Sequence, residues 1–386
     1  MAFDLEKLFV DVFAPRPGDV VTVLVDLPTA SSPDHPAWHA RRHMARRWHK
    51  QITGMASSYG LLVHPIVTYA ATGANNADLP AEGRWREQPI ALEQLLREST
   101  IVIAMTEFSA TAPLIHFARR FPQLRVASMP TVAPAMQETA LAADYARIAA
   151  TCARLAPRFE AAAGIEVEFS TGHICYFDIS NRSRALLDDG RLHPVTAEDL
   201  AAVSAPTSAA AAAAAAIATA NDRVRNLPSG EVCVCPHEGE ASRTAGEIPV
   251  AMDGEQMVFV VEHNEVIDVR GDGPAAARML EAFAREQALR NVAEVAIGCN
   301  ERAVITGNVL EDEKAGFHWA YGRSDHLGGE VGPDRFSSPS AVSHQDVVYA
   351  AGSPIVCKRL DFVDPDGTRH TAIVEGALVL GTSASG

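Results

Sequence analysis

Apolar and polar positions follow two rhythms along the chain, and the change falls near residue 163. Before it, short apolar runs alternate with stretches whose apolar residues recur at helical spacing. Residues 4–13 predict an amphipathic helix that stops at a Pro/Gly turn. Strands are predicted over residues 20–28, 61–70, 100–108 and 124–130. Helices are predicted over 35–60, 91–99, 111–121 and about 134–162, with an Asn- and Gly-rich loop after residue 70. Apolar strands alternating with amphipathic helices predict a parallel α/β sheet. Beyond residue 163 the segments 165–171, 173–180, 230–236, 246–251, 255–271 and 346–367 are short and β-rich, with Gly, Asn and Asp turns. One helix, over 273–288, interrupts them. The expected organisation is an α/β domain over 1–162 and a β-rich α+β domain over 163–386. An alanine run over 209–216, behind a capping Ser208, predicts a further helix beside the loop that delivers Glu231.

Composition narrows the class. A chain of 386 residues is long enough for two domains. The formal net charge of -15 argues against nucleic acid or an anionic membrane as the main partner. The six cysteines are scattered, which suits a reducing cytoplasm better than a disulfide framework. The N-terminal stretch has no secretory pattern, and no window holds about 18 uninterrupted apolar residues. The α/β half carries neither G-x-G-x-x-G nor a Walker loop, so nothing assigns it a nucleotide.

The candidate chemistry lies in the second half. His344 and Asp346 form an H-x-D pair, and residues two apart on a strand share a face, so both could bind one metal ion. His318 follows the run LEDEKAGF. Glu294 and Glu231 each sit in an apolar strand, where a carboxylate is costly to bury without a cation. Five ligands of hard or borderline character point to one or two divalent metals. Other constellations have plainer readings. His35, His39 and His43 recur at spacings of four, as on a solvated basic face or an interface helix anchored by Trp38 and Trp48. Cys233 and Cys235 lack the second pair that a thiolate site needs and read as core. Glu311, Asp312 and Glu313 read as an exposed acidic turn, one member of which could support His318 from behind. His326 reads as a loop residue.

LPSGEV, AEVAIGCN, TGNVLEDEKAGFHWAYG and the late HQD, in this order, resemble the thermophilic-type metalloaminopeptidases, the aminopeptidase T or M29 family. The resemblance runs from about residue 164 to the C-terminus and more weakly before it. It implies an N-terminal α/β domain, a C-terminal β-rich catalytic domain, a homodimer and two divalent metals, Zn, Mn or Co. By that resemblance Glu231, Glu294, His318, His344 and Asp346 match the metal-ligand positions, with Glu231 also catalytic. Three positions depart from the family pattern. Asp325 stands where the family has a Tyr ligand, seven residues after His318, and is open to a role as ligand, general base or substrate contact. Gly230 stands where an acid often precedes the Glu. TGHICYFD replaces the GTDL signature. The chain also resembles, more distantly, the 2,5-dihydroxypyridine dioxygenases, which share the late H-x-D and use one Fe(II).

The reading from sequence is a cytoplasmic metallohydrolase that cleaves an amide or C–N bond of a small-molecule substrate. A ring-cleaving Fe(II) dioxygenase on His318, His344 and Asp346 is the first alternative, and a non-enzymatic small-ligand-binding protein the second. Retention of both Glu231 and Glu294 favours the two-metal, hydrolytic set.

Overall fold

The computed structural model describes residues 3–180, 184–194 and 222–379. The chain divides into two compact units, Met1–Ala149 with Asp188–Ser229 and Ala150–Leu187 with Gly230–Gly386. The alanine run and Ser208 lie outside the described residues.

The first unit is built on a mixed eight-stranded sheet. Val20–Leu27 is central, parallel to Ile101–Ala104 on one side and to Val67–Ala70 on the other. Arg125–Ser128 and Val224–Asn226 continue the parallel side. The other edge is an antiparallel hairpin, Glu82–Trp85 with Gln88–Ala91, in a stretch with no predicted strand. Its turn residues Arg86 and Glu87 have φ of 48° and 67°, a conformation that Gly and Asn usually announce. The sheet is therefore parallel in its middle and antiparallel at one edge.

Other differences have equally local causes. The strand predicted over 61–70 divides at Pro65 into Leu62–Val63 and Val67–Ala70, because proline brings no N–H to a ladder. The helix predicted from residue 134 begins at Tyr145, after 3-10 turns at Pro134–Gln137 and Ala140–Ala142. Asp144 caps it, accepting from the N–H groups of Ala146 and Arg147. The changeover between units falls within this helix, ahead of the expected residue 163. Residues 188–229 return to the first unit, where Val224–Asn226 pairs with Arg125–Ser128. Helix Pro36–Tyr59 is capped by His35. Its Trp38 and Trp48 are core residues, not interface anchors, and Trp38 Nε1 donates to buried Asp26 at 2.9 Å.

The second unit contains two sheets. The larger is antiparallel, with strand order Glu265–Arg270, Glu255–Glu262, Ala245–Met252, Ile174–Asp178, Gly164–Phe169, Cys357–Val363, Arg369–Val374 and Ala377–Leu378. The smaller runs Glu231–Val234, Val292–Gly298, Phe317–Gly322 and His344–Val348, with Leu186–Asp188, which ends at the division between the units, beside Glu231–Val234. The strands from Glu231–Val234 to His344–Val348 are antiparallel. Aromatic side chains join the sheets. On Phe317–Gly322, Phe317, Trp319 and Tyr321 share a face by the two-residue repeat. Phe317 packs on Phe169 and Phe177, and Trp319 and Tyr321 pack on Phe259. Trp319 Nε1 donates to the Tyr349 hydroxyl at 3.1 Å, which donates to the Pro249 carbonyl at 2.9 Å. Among the described residues no helix is long and apolar enough to cross a membrane.

Trp319 is fully buried in this aromatic layer. Trp319→Ala should cost about 3–5 kcal/mol in urea unfolding. A loss under about 1 kcal/mol would mean that the layer does not hold the two sheets together.

Candidate metal centre

The face opposite the aromatic layer is set by register. His318 stands across from Ala296, Ala320 from Glu294 and Asp346, Gly322 from His344, and Glu231 from Gly298. Opposed residues share a face, as do residues two apart. Glu231, Glu294, His318, His344 and Asp346 therefore project from one side of the sheet. Between them stand Ala296, Gly298, Ala320 and Gly322, which take up little room. A register shift between Val292 and Glu294 matters here. Beyond the shift Val292 stands opposite Tyr321, on the aromatic side, whereas Glu294 keeps the alternation of Ala296 and Gly298 and faces the site.

The side chains gather into two groups, Glu294 with His344 and Asp346, and Glu231 with Glu313 and His318. In each, one ligand atom per residue lies within 4.8 Å of the others. His344 Nε2 is 3.0 Å from Glu294 Oε2 and 3.6 Å from Asp346 Oδ1. His318 Nε2 is 3.4 Å from Glu231 Oε2. Both imidazoles are fixed from behind. His344 Nδ1 lies 2.7 Å from the Arg323 carbonyl, and His318 Nδ1 lies 3.3 Å from the Gly316 carbonyl. A carbonyl only accepts, so each Nδ1–H donates and each Nε2 is the atom turned to the carboxylates. Metal-binding imidazoles are oriented in the same way.

The acidic turn is not exposed. Glu311, Asp312 and Glu313 are all buried. Asp312 accepts from the N–H groups of Thr306 and Gly307 at 2.7 and 2.9 Å. The segment lies directly on the sheet, with Gly298 N–H donating to the Gly316 carbonyl at 2.8 Å and Asn300 N–H to the Lys314 carbonyl at 3.0 Å. Sequence reasoning missed Lys314 altogether. Its side chain is 0% exposed, and Nζ stands 2.7 Å from Glu231 Oε1 and 2.8 Å from Glu313 Oε1. A lysine beside three acids resembles a surface charge run. The available signal was the apolar and glycine frame around it, AGFHWAYG on one side and VL on the other.

Electrostatics separate the carboxyls. Burial works against the charge on Glu231, but Lys314 and His318 overcome it and hold the group at about 2. Burial pushes Glu313 up to about 8, with the charges of Glu231 and Asp346 adding to it against Lys314. Lys314 is thus the counter-charge chiefly of Glu231. Burial disfavours the His318 cation, yet Glu231, Glu294 and Asp346 raise it to about 9. Against the same burial, Asp346 and Glu294 raise His344 well above the usual imidazole range. Burial and the nearby Glu294 charge keep the Cys233 thiol neutral.

Asp325 joins neither group. Its Oδ1 lies 2.5 Å from Arg323 Nε and its Oδ2 3.1 Å from Arg323 Nη2. His326 is largely buried and stands edge-on to His344, with ring centroids 4.9 Å apart. Gly230 has φ of 123°, and a Cβ there would lie 2.9 Å from Asn300 Cβ. That close approach explains why no acid precedes Glu231.

An α/β unit on a mixed sheet with a β-rich unit bearing buried carboxylates and imidazoles is a fold shared with solved structures of low sequence identity. The structure of 2,5-dihydroxypyridine dioxygenase from Pseudomonas putida KT2440 matches with a TM-score of 0.61 and 14% identity, covering 98% of this chain and 97% of that one. AmpT from Thermus thermophilus, of the M29 aminopeptidase T group, matches with a TM-score of 0.53 and 16% identity, covering 97% and 99%. The resemblance seen in the motifs therefore holds at the level of the fold, and of these two the dioxygenase superposes better. No family model and no curated protein sequence matches the chain.

A Cβ on Gly298 would lie 2.3 Å from the Glu313 carbonyl oxygen and 2.5 Å from the Lys314 carbonyl carbon. Gly298→Ala should therefore cost about 1–3 kcal/mol in urea unfolding, by forcing the 313–314 backbone off the sheet. An unchanged midpoint would show that the segment does not rest on the sheet at that point.

Proposed function

We propose that the chain is a metal-dependent hydrolase of the aminopeptidase T type, cleaving an amide or other C–N bond of a small substrate. The observation that carries this reading is the donor set of Glu294, His344 and Asp346, with His344 Nδ1 tied to the Arg323 carbonyl. One imidazole nitrogen and two carboxylates suit a divalent ion of hard or borderline character such as Zn, Mn or Co. A divalent ion held there polarises a carbonyl and brings the pKa of a bound water to about 7. The chain contributes the rest. The sheet register fixes Glu294, His344 and Asp346 on one face, and the Arg323 carbonyl holds the imidazole in a single tautomer. The departing nitrogen needs a proton. Glu231 Oε2 and His318 Nε2, 3.4 Å apart, hold one between them. His318 carries that proton, Glu231 is the catalytic carboxylate that keeps its imidazole charged, and Asp325 serves to hold Arg323 in place behind His344.

An Fe(II) oxygenase would call for two imidazoles and one carboxylate at the metal. Here the group of Glu294, His344 and Asp346 has a single imidazole, and His318 belongs to the other group. The donor chemistry favours hydrolysis, although the fold is shared with both kinds of enzyme.

With Zn, Mn or Co added, the chain should release the amine from amino-acid amides or aryl amides. Glu294→Gln and His344→Ala should each lower kcat/KM at least about 100-fold, more than the loss of a residue that merely supports a ligand. Full activity in either variant would remove the triad from the mechanism. Metal affinity should also depend on pH. Asp346 and Glu294 raise His344 well above the usual imidazole range, so it is protonated near neutrality and a metal must displace that proton. Affinity should then rise about tenfold per unit of pH through neutrality, with proton release detectable by titration calorimetry in buffers of different ionisation enthalpy. A flat profile with no proton release would contradict the assignment.

A further inference from the structure

Two groups on one sheet face suggest two metals, but the groups differ in what they already hold. Lys314 places its ammonium 2.7 Å from Glu231 Oε1 and 2.8 Å from Glu313 Oε1, with no exposure to solvent. These carboxylates, with His318, are the groups that a second cation would use. We propose that Lys314 is the resident cation of the Glu231–Glu313–His318 group, so that the chain binds one divalent metal, at Glu294, His344 and Asp346, rather than two. The inference rests on the reading of that triad as a metal site.

The lysine is anchored by its backbone. The Lys314 carbonyl accepts from Asn300 N–H, and the adjoining Gly316 carbonyl accepts from Gly298 N–H. The contact beneath the segment is close enough that Gly298 has no room for a Cβ. The ammonium therefore leaves the carboxylates only if its long side chain finds another course, and it is buried on every side. A divalent ion bound through carboxylate oxygen at about 2.0–2.2 Å would sit almost against that ammonium, with no water between the two charges. The carboxylates of this group satisfy either cation, but not both. Lys314 also keeps Glu231 ionised, as a second metal would, while adding no Lewis acid.

The test is metal stoichiometry on the full chain, read by elemental analysis and by calorimetric titration with Mn(II) and with Zn(II). The wild type should bind one equivalent. His344→Ala should lose it, with affinity at least 100-fold weaker. Lys314→Gln, which keeps a polar side chain but removes the charge, should gain a second equivalent. Two equivalents in the wild type would overturn the inference and leave the metal reading standing. So would a single equivalent in folded Lys314→Gln. One tight equivalent retained in His344→Ala would instead remove the reading of the triad as the metal site, and this inference with it. Should Lys314→Gln fail to fold, the wild-type and His344→Ala counts decide the matter. A wild type that binds no metal after reconstitution would remove the metal reading and this inference together.

Discussion

The second unit depends on balancing charge on one buried face of a small sheet. Glu231, Glu294, Glu313 and Asp346 are drawn together there with Lys314, His318 and His344. A buried ion carries a penalty of several kcal/mol unless it is paired and hydrogen-bonded. The arrangement meets that condition locally. Lys314 answers Glu231, His344 answers Glu294 and Asp346, and the pKa of Glu313 rises instead. At a separation of 4 Å and an effective dielectric near 20, each pair of unit charges is worth about 4 kcal/mol, so a divalent ion beside Lys314 would meet roughly twice that in repulsion. The aromatic layer on the other face of the same strands supplies stability that such a polar assembly does not provide by itself.

The fold leaves the chemistry open. It is shared with a dioxygenase and with AmpT at similarly low identity, so the argument for function lies in the residues of the site. The decisive feature is the identity of the donors. Glu294 makes the first group a one-imidazole, two-carboxylate set, and Lys314 makes the second group unlike it. Under the proposed function the two groups are a metal half and a proton-holding half.

Much of this was legible in the sequence. The alternation of strands and helices predicted the parallel middle of the first sheet, and the short β-rich segments with Gly, Asn and Asp turns predicted the antiparallel sheets. The H-x-D pair, Glu294, His318 and Glu231 were visible because carboxylates and imidazoles in apolar strands are unusual. What stayed hidden depends on contacts far apart in sequence or on backbone conformation. The hairpin at Arg86 and Glu87 lacks its customary turn residues. The bulge that puts Val292 and Glu294 on opposite faces leaves no mark in local composition. Glu313 and Lys314 looked solvated because their burial comes from resting on Gly298 and Asn300, in a neighbouring strand and the loop beyond it. Asp325, marked by its spacing from His318, is engaged by Arg323, and spacing alone does not show that partner.

The most direct test of the central claim is X-ray absorption at the metal edge of the Zn-loaded protein. The account predicts a first shell of nitrogen and oxygen only, at about 2.0–2.2 Å, with the outer-shell scattering of a single imidazole. A shell containing sulfur, or the scattering of two imidazoles, would contradict the assignment of Glu294, His344 and Asp346 as the ligands.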